Sequence, residues 1–532
     1  MEQENRNNYY APADSQSMAV IRRPEYLVGD RRDLIFGVIL AVLAVLFVNC
    51  WLWHGLAAGA GLLAAALFLT GICYLWKSRK GLSAYGCVCA ALFVAAAVSL
   101  AFSDDGQSKD MTLLLMAVLC VTVLMELMDL RRYSAGTYRS VADGVEVAFA
   151  MSFGGLPRGV YALFHTGEED GTKRKRRIGS VLLGVLCAVP ALLVVLPLLA
   201  SSDAAFSGLL DKLAADWLGE AAGSLLLGLF FFLLVFSLLF TARTERREKK
   251  QQTEGNGVST AAVCAFLSAI SFVYVLYLLS QLAYFFSAFS GILPQDYTVS
   301  AYARRGFFEM SAVCAINLLL VGIALIASKK KDGKAALCVR LLSLFLCLFS
   351  LLLVATALSK MGLYVHRYGM TRLRILTSVF MVFLAVVFVA VGLRLFVRRV
   401  PYMKVAVLTA GVLTVAMSFA NVDRVVAAYN VDAYQTGKLD TIDMDTLSEL
   451  SDAAVPYLLE LTGDGNAQVQ RQARRILFAR LEEEFEVTQT VDGQLEIRDT
   501  GYDLRKFDTV TYRARQLLLE NWQKFAPQTN PA

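Results

Sequence analysis

Apolar runs of about twenty residues, long enough to cross a bilayer, recur along this chain and restrict its fold more than any other feature. They lie near 34–54, 56–76, 82–102, 111–129, 178–199, 224–240, 258–287, 307–327, 335–358, 375–396 and 405–421. A hydrocarbon core roughly 30 Å thick is crossed by roughly 20 helical residues rising 1.5 Å each. With no water there, every backbone N–H and C=O must be paired within the segment, so each run is read as a helix. The expected fold class is an all-α polytopic transmembrane helix bundle of about eleven spans. A small, mainly α, extracytoplasmic carboxy-terminal domain with one β-hairpin follows it. The expected divisions are a cytoplasmic amino-terminal tail (1–33), the bundle (34–429) and the carboxy-terminal domain (430–532).

Composition agrees. The chain is 57% hydrophobic and 18% charged, with mean hydropathy +0.53, whereas soluble domains carry about 25% charged residues. The basic residues give the orientation. One alternate set of connections (the amino terminus, 77–81, 130–177, 241–257, 329–334 and 394–404) holds 30 Lys and Arg. The other set (54–55, 103–110, 200–223, 290–306 and 359–374) holds 8. The amino terminus is therefore expected in the cytoplasm and the carboxy-terminal domain outside the cell membrane. The first run is too long for a signal-peptide core and is taken as retained.

Charge divides along the same line. Residues 1–420 carry 39 basic and 26 acidic residues, or +13, and residues 421–532 carry 12 and 19, or −7. The overall +6 is an average of two regimes and gives no reason to expect nucleic acid. The runs KRKRR (173–177), RTERREKK (243–250) and KKKDGK (329–334) are read as topological anchors that also suit anionic lipid head groups.

Three stretches depart from the alternation of span and short loop. Residues 141–165, broken by Gly154, Gly155 and Pro157, read as an interfacial or re-entrant element. DKLAADWLGE in 200–223 reads as a short amphipathic helix, and 258–289 as an overlong, tilted or projecting span. In the tail, Thr446 and Glu449 form a T-x-x-E capping box, and Pro456 and the GDGN turn (463–466) mark a helix-turn-helix like one HEAT-type unit. Asp492-Gly493 joins two alternating runs as a hairpin, and Asp508 caps a last helix through about 524.

Standard chemical motifs are missing from the sequence. No P-loop, G-x-S-x-G or H-E-x-x-H is present. GAGLLA (59–64) lies in an apolar run, where Gly55 and Gly59 read as a G-x-x-x-G packing motif rather than a dinucleotide fingerprint. The ten cysteines lie in or beside apolar runs and the tail has none; Cys87 and Cys89 lack a second pair. LDTIDMD (439–445) lacks the glycine and distal glutamate of an EF-hand loop. No cofactor, metal or catalytic residue is assigned.

Two connections on the poorly basic side are more polar than their neighbours, PQDYTVSAYARRGFFEM (294–310) and SKMGLYVHRYGMTRLR (359–374). They bring Arg304, Arg305, His366, Arg367, Arg372 and Arg374 to one membrane boundary, with Glu309 at the start of a span. Charges there are costly unless paired or functional. These seven residues are the candidate ligand-binding set, expected to meet in space and to take an anionic group, since arginine's planar fork grips two oxygens at once. A structural ion-pair cluster is the competing reading.

YARRGFFEM, HRYGMTRLRI and the tail's LSELSDAAVPYLLEL also resemble the bacterial membrane proteins grouped as domain of unknown function 4173, related to 4153, over roughly residues 180–470. That resemblance implies a polytopic architecture and no activity. Three functional readings are carried: a non-enzymatic envelope scaffold or sensor whose tail meets an anionic lipid or an envelope protein outside; a transporter or flippase, on polar spots such as Gln281, Asn317 and Glu126; and a membrane-embedded transferase acting on an anionic lipid-linked substrate.

Overall fold

The computed structural model describes residues 29–76, 81–133, 139–164, 188, 192, 195–196, 198–215, 217–244, 259–290, 307–327, 333–397, 399–489, 495–499 and 501–526. Among them, 8 helices are long and apolar enough to cross a membrane. They belong to α1 (Arg31–His54), α2 (Ala58–Trp76), α4 (Gly106–Leu127), α8 (Trp217–Thr244), α9 (Thr260–Ser290), α11 (Lys334–Tyr368), α12 (Arg372–Phe396) and α13 (Tyr402–Ala420). Two shorter apolar helices are α3 (Ala84–Ser99) and the Met310–Ala324 part of α10 (Phe307–Ala327). Every expected run except 178–199 falls on one of these helices, and that run lies largely outside the described residues. The chain is a membrane-embedded helical protein.

Polar residues cut the apolar sequence into helices. Asp30 and Asp33 form a capping box at α1, Ser83 caps α3 through the Gly86 N–H, and Asp105 caps α4 through the Gln107 and Ser108 N–H groups. Each satisfies amide donors that the first helical turn leaves open. Three apolar cores fill the described bundle. One joins α1, α2, α4 and α8, a second joins α1 to α4, and the third joins α9 to α12. α13 packs on both α3–α4 and α12 and bridges them.

Within the bundle, the structure corrects two local expectations, about Gly55 and about residues 359–374. Gly55 is not in a helix: it ends α1 with φ 79°, so Gly55 and Gly59 form no helix-packing motif. The close approach falls instead at Gly61, where an added Cβ would lie 2.2 Å from the Ala97 carbonyl oxygen. Residues 359–374 are likewise no loop. α11 runs unbroken for 35 residues to Tyr368, and only Gly369, Met370 and Thr371 separate it from α12. At 1.5 Å per residue α11 is about 52 Å long, so it projects beyond a core of about 30 Å.

Residues 139–164 form α5 (Arg139–Val145), a π-helical turn (Glu146–Met151), one further helical turn and α6 (Leu156–Phe164). Asp143 accepts from the Arg132 and Tyr133 N–H groups just past α4. Gly155 and Gly159 press on Ser237 and Thr241 near the end of α8, and Ala162 touches Gly29 ahead of α1. All these partners stand at one end of the bundle, so the segment enters and returns there. α7 (Ala204–Ala215) takes the first half of the DKLAADWLGE string expected to form one short helix, whereas Trp217–Glu220 open α8 instead.

The tail builds its own core, beginning at Val422. α14 (Val422–Gln435), α15 (Met444–Ser448), α16 (Val455–Leu461), α17 (Ala467–Glu484) and α18 (Thr509–Asn521) bury Val426, Leu447, Leu458, Leu477 and Leu518 together. α17 shows the helical spacing directly, since Val469, Ala473, Leu477 and Leu481 are its buried row. β1 (Glu486–Gln489) pairs antiparallel with β2 (Leu495–Arg498); the Asp492-Gly493 turn between them lies outside the described residues. Asp508 caps α18 as expected. α15 differs: its cap is Asp443, which accepts from the Asp445 and Thr446 N–H groups, and Glu449 already follows the helix. A charged acceptor one position upstream of a one-turn helix leaves Thr446 nothing to cap.

Candidate functional site

The polar residues that the tail and the bundle share converge on Arg372, the first residue of α12. Its position follows from the turn before it. Gly369, at φ 77°, lets α11 end abruptly, and a Cβ there would meet the Asn430 Oδ1 at 2.7 Å. Asn430 of α14 accepts from the Met370 N–H at 2.6 Å and donates to the Met370 carbonyl at 2.9 Å. This clamps the three-residue turn onto the tail.

Arg372 then reaches the Asp423 carboxylate with both prongs, Nε to Oδ1 at 2.8 Å and a terminal nitrogen to Oδ2 at 2.6 Å. Asp423 is 0% exposed and also accepts from the Ser451 N–H at 2.8 Å. Asp105, 3% exposed, stands 3.6 Å from the same guanidinium while capping α4. Its neighbour Asp104 accepts from the Asn421 side chain at 2.8 Å and the Ala453 N–H at 3.1 Å. Two carboxylates thus face one guanidinium, and hydrogen bonds satisfy their remaining oxygens. A buried ion pair survives under those conditions.

An arginine of the tail closes the cluster. Arg480 of α17 donates to the Ser451 carbonyl at 2.8 Å and the Leu450 carbonyl at 2.6 Å, and lies 3.6 Å from Asp452. Burial pushes the Asp452 carboxyl up to about 6, with Arg480 opposing the rise. Away from this cluster, Ala58 donates to the Phe507 carbonyl at 3.0 Å and Thr509 donates to the Ala101 carbonyl at 2.8 Å. His54, at the end of α1, lies 3.3 Å from Glu220 of α8 and 3.4 Å from Asp503 of the tail. The turns after α1, α3, α11 and α13 therefore all stand on the side that carries the tail.

The expected seven-residue set is only partly brought together. Arg304, Arg305 and the Glu309 side chain lie outside the described residues, and so does their expected meeting with 366–374. His366 is exposed at the end of α11. Arg367 faces Asp440 at 3.7 Å with both side chains largely exposed. Arg374 turns back to the Tyr368 and Gly369 carbonyls and stacks 4.2 Å above the Tyr364 ring. Among the described members of the set, only Arg372 enters a buried ionic cluster. Its partners Asp105 and Asp423, and the neighbouring Asp104 and Arg480, escape sequence reading; the Asp-Asp pair just ahead of a span is the one local signal for them.

The polar spots offered for transport also find partners. Asn317 accepts from the Tyr274 hydroxyl at 2.8 Å and donates to Ser350 at 2.9 Å, tying α9, α10 and α11. Glu126 pairs with Arg131 at 2.9 Å and Lys404 at 3.3 Å. The Gln281 side chain lies outside the described residues. Among the described residues no group of three or more His, Cys, Asp and Glu could hold a metal ion.

Comparison with curated proteins and with solved structures returns no match. A family model does match, over residues 34–461, which reaches further toward the amino terminus than the motifs that first suggested a resemblance. Covering the bundle and the tail as far as α16, that match shows that the chain belongs to the family described as domain of unknown function DUF4153.

Proposed function

We propose that this membrane protein is a non-enzymatic scaffold or sensor of the bacterial cell envelope, whose carboxy-terminal unit is held on the bundle and presented outside to a partner. The observation that carries this reading is the engagement of Arg372, the one candidate arginine among the described residues to enter a buried cluster, by Asp423 and Asp105. An anionic substrate would have to displace both, so the cluster serves attachment better than turnover. The exposed His366 and Arg367 stand on the side that carries the tail and are offered, with Arg304, Arg305 and Glu309, as groups that meet an anionic lipid or protein.

About eleven spans, an amino terminus in the cytoplasm and a tail outside belong to this proposal. The basic-residue bias of 30 to 8 supports the orientation. The motifs YARRGFFEM and HRYGMTRLRI support a place beside the related 4173 group. A reporter that fluoresces only in the cytoplasm, fused after residue 532, should stay dark. The functional test is a lock. Cysteines replacing Ala101 and Thr509, whose backbones are hydrogen-bonded at 2.8 Å, should crosslink, and the oxidised chain should still complement a deletion strain. Complementation lost only on oxidation would point to a moving gate and overturn the scaffold reading.

A further inference from the structure

His54 is the last residue of α1, and its side chain is 6% exposed. Its Nε2 faces a Glu220 carboxylate oxygen at 3.3 Å and its Nδ1 faces an Asp503 oxygen at 3.4 Å. Neither nitrogen has a hydrogen-bond partner. A neutral imidazole carries one donor and one acceptor, so one ring nitrogen must turn its lone pair toward a carboxylate. An imidazolium donates from both nitrogens and suits both neighbours.

The local charge count agrees. Arg505 lies 3.1 Å from Asp503 and 3.6 Å from Glu220. Two carboxylates and one guanidinium leave a net charge of −1, which an imidazolium cancels. Other polar groups nearby are already committed: Asn49 donates to Glu220 at 3.1 Å, and Asn49 and Trp53 both donate to Ser224. Cys50, the remaining titratable neighbour on α1, stands within electrostatic reach of Arg505 and Asp503.

We propose that His54, Glu220 and Asp503 form a proton-binding site that latches the tail segment 503–507 onto the ends of α1, α2 and α8. This rests on the scaffold-or-sensor reading and gives it a stimulus, the pH on the tail's side. Binding a proton adds the second N–H donor, so that one carboxylate on the bundle and one on the tail are both faced by a donor, which tightens the joint between them. The sign is fixed by the charge: the joint is tighter with the proton bound and looser as pH rises and the proton leaves.

Hydrogen exchange of the full chain in lipid nanodiscs reads this directly, with intrinsic exchange rates corrected for pH. Protection of the amides in 503–508 should fall by about tenfold between pH 5.5 and pH 8, the equilibrium factor of one hydrogen bond to a charged group. His54→Gln should hold the segment at its high-pH protection throughout, while His54→Lys, permanently charged, should remove most of the pH dependence. Asp503→Asn serves as a second route to the same loss if position 54 tolerates no change. Protection independent of pH in the unaltered chain, or an unchanged pH dependence in His54→Gln, overturns the latch. Exchange reads the joint and not the biological role, so such a failure leaves the scaffold standing, while the cysteine lock tests the scaffold without reference to His54.

Discussion

The two ends of the bundle solve the same electrostatic problem in different ways. At the end without the tail, Asp33 is 1% exposed, accepts from the Tyr74 hydroxyl at 2.8 Å and is ion-paired with Arg243. Arg32 donates to the Tyr74 carbonyl at 2.7 Å, and the Phe36 and Tyr74 rings stack at 3.9 Å. Every partner belongs to α1, α2 or α8, so that cluster is internal to the bundle. At the other end Arg372 takes its closest partner, Asp423, from α14, a helix of the tail. One cluster closes a bundle; the other joins two units. Breaking each should therefore produce different kinds of damage.

The largest effect is expected at the joint. Asp423→Ala leaves Arg372 short of its main partner and strips the Ser451 N–H of its acceptor, at a cost of about 3–5 kcal/mol. The tail should come loose first, seen as rapid limited proteolysis after residue 421 while the spans persist. A double change, Arg372→Met with Asp423→Leu, should recover most of the loss because a well-packed apolar pair avoids desolvation. If Asp423→Ala leaves proteolysis unchanged, the joint is held elsewhere.

Asp33→Asn at the opposite end should cost about 1–3 kcal/mol, the penalty of weakening a buried hydrogen-bonded network. Here the melting temperature of the bundle should drop while the tail keeps its protease resistance. Tail loosening in this variant would show the two clusters to be coupled and would erase the contrast. Smaller still is Asn430→Ala, which removes two hydrogen bonds at the Met370 turn for about 1–2 kcal/mol. Faster amide exchange should be confined to residues 369–371 and the facing part of α14.

Acidity sharpens the comparison further, because the affected carboxyls are all in the tail. Burial raises Asp452 to about 6, so the folded tail binds more protons than the unfolded chain, and stability falls as pH rises from about 4 to about 6. Asp499 and Asp503 are held low, first by the Gly501 and Arg505 backbone N–H groups. Their contribution is present above the ordinary carboxylate range and is lost as pH falls through it. The tail should therefore melt highest in the window between, and Asp452→Asn should flatten the decline above it. Least of all should Arg367→Ala matter: its pairing with Asp440 is exposed, and such pairs contribute less than about 1 kcal/mol. A large loss of stability there would mean that exposure is a poor guide to this surface.

How much of this was legible beforehand differs by level. Spans were readable because hydrocarbon forces helix on any apolar run of sufficient length, whatever its detailed sequence. α17 and α18 were readable for the opposite reason: in water a polar face and an apolar row at helical spacing must separate, and Asp508 announces its helix. Inside the bundle that signal fades, since lipid and core are equally apolar. Leu62 at 69% and Phe272 at 65% exposure are no different in kind from the buried Leu40 and Phe236. The 359–374 stretch read as a loop because its charges suggested one, yet those charges decorate the outer turns of two helices.

By itself, then, the sequence determined which segments are apolar enough to span a bilayer and the helices that such surroundings compel. Only the tertiary structure decided which charges neutralise which. Asp104, Asp105, Asp423 and Arg372 stand as much as 319 positions apart in the chain, and nothing local to any of them names the others. Pairing energy depends on separation and on the dielectric between the groups, and both exist only once the helices have packed and the tail has covered their ends.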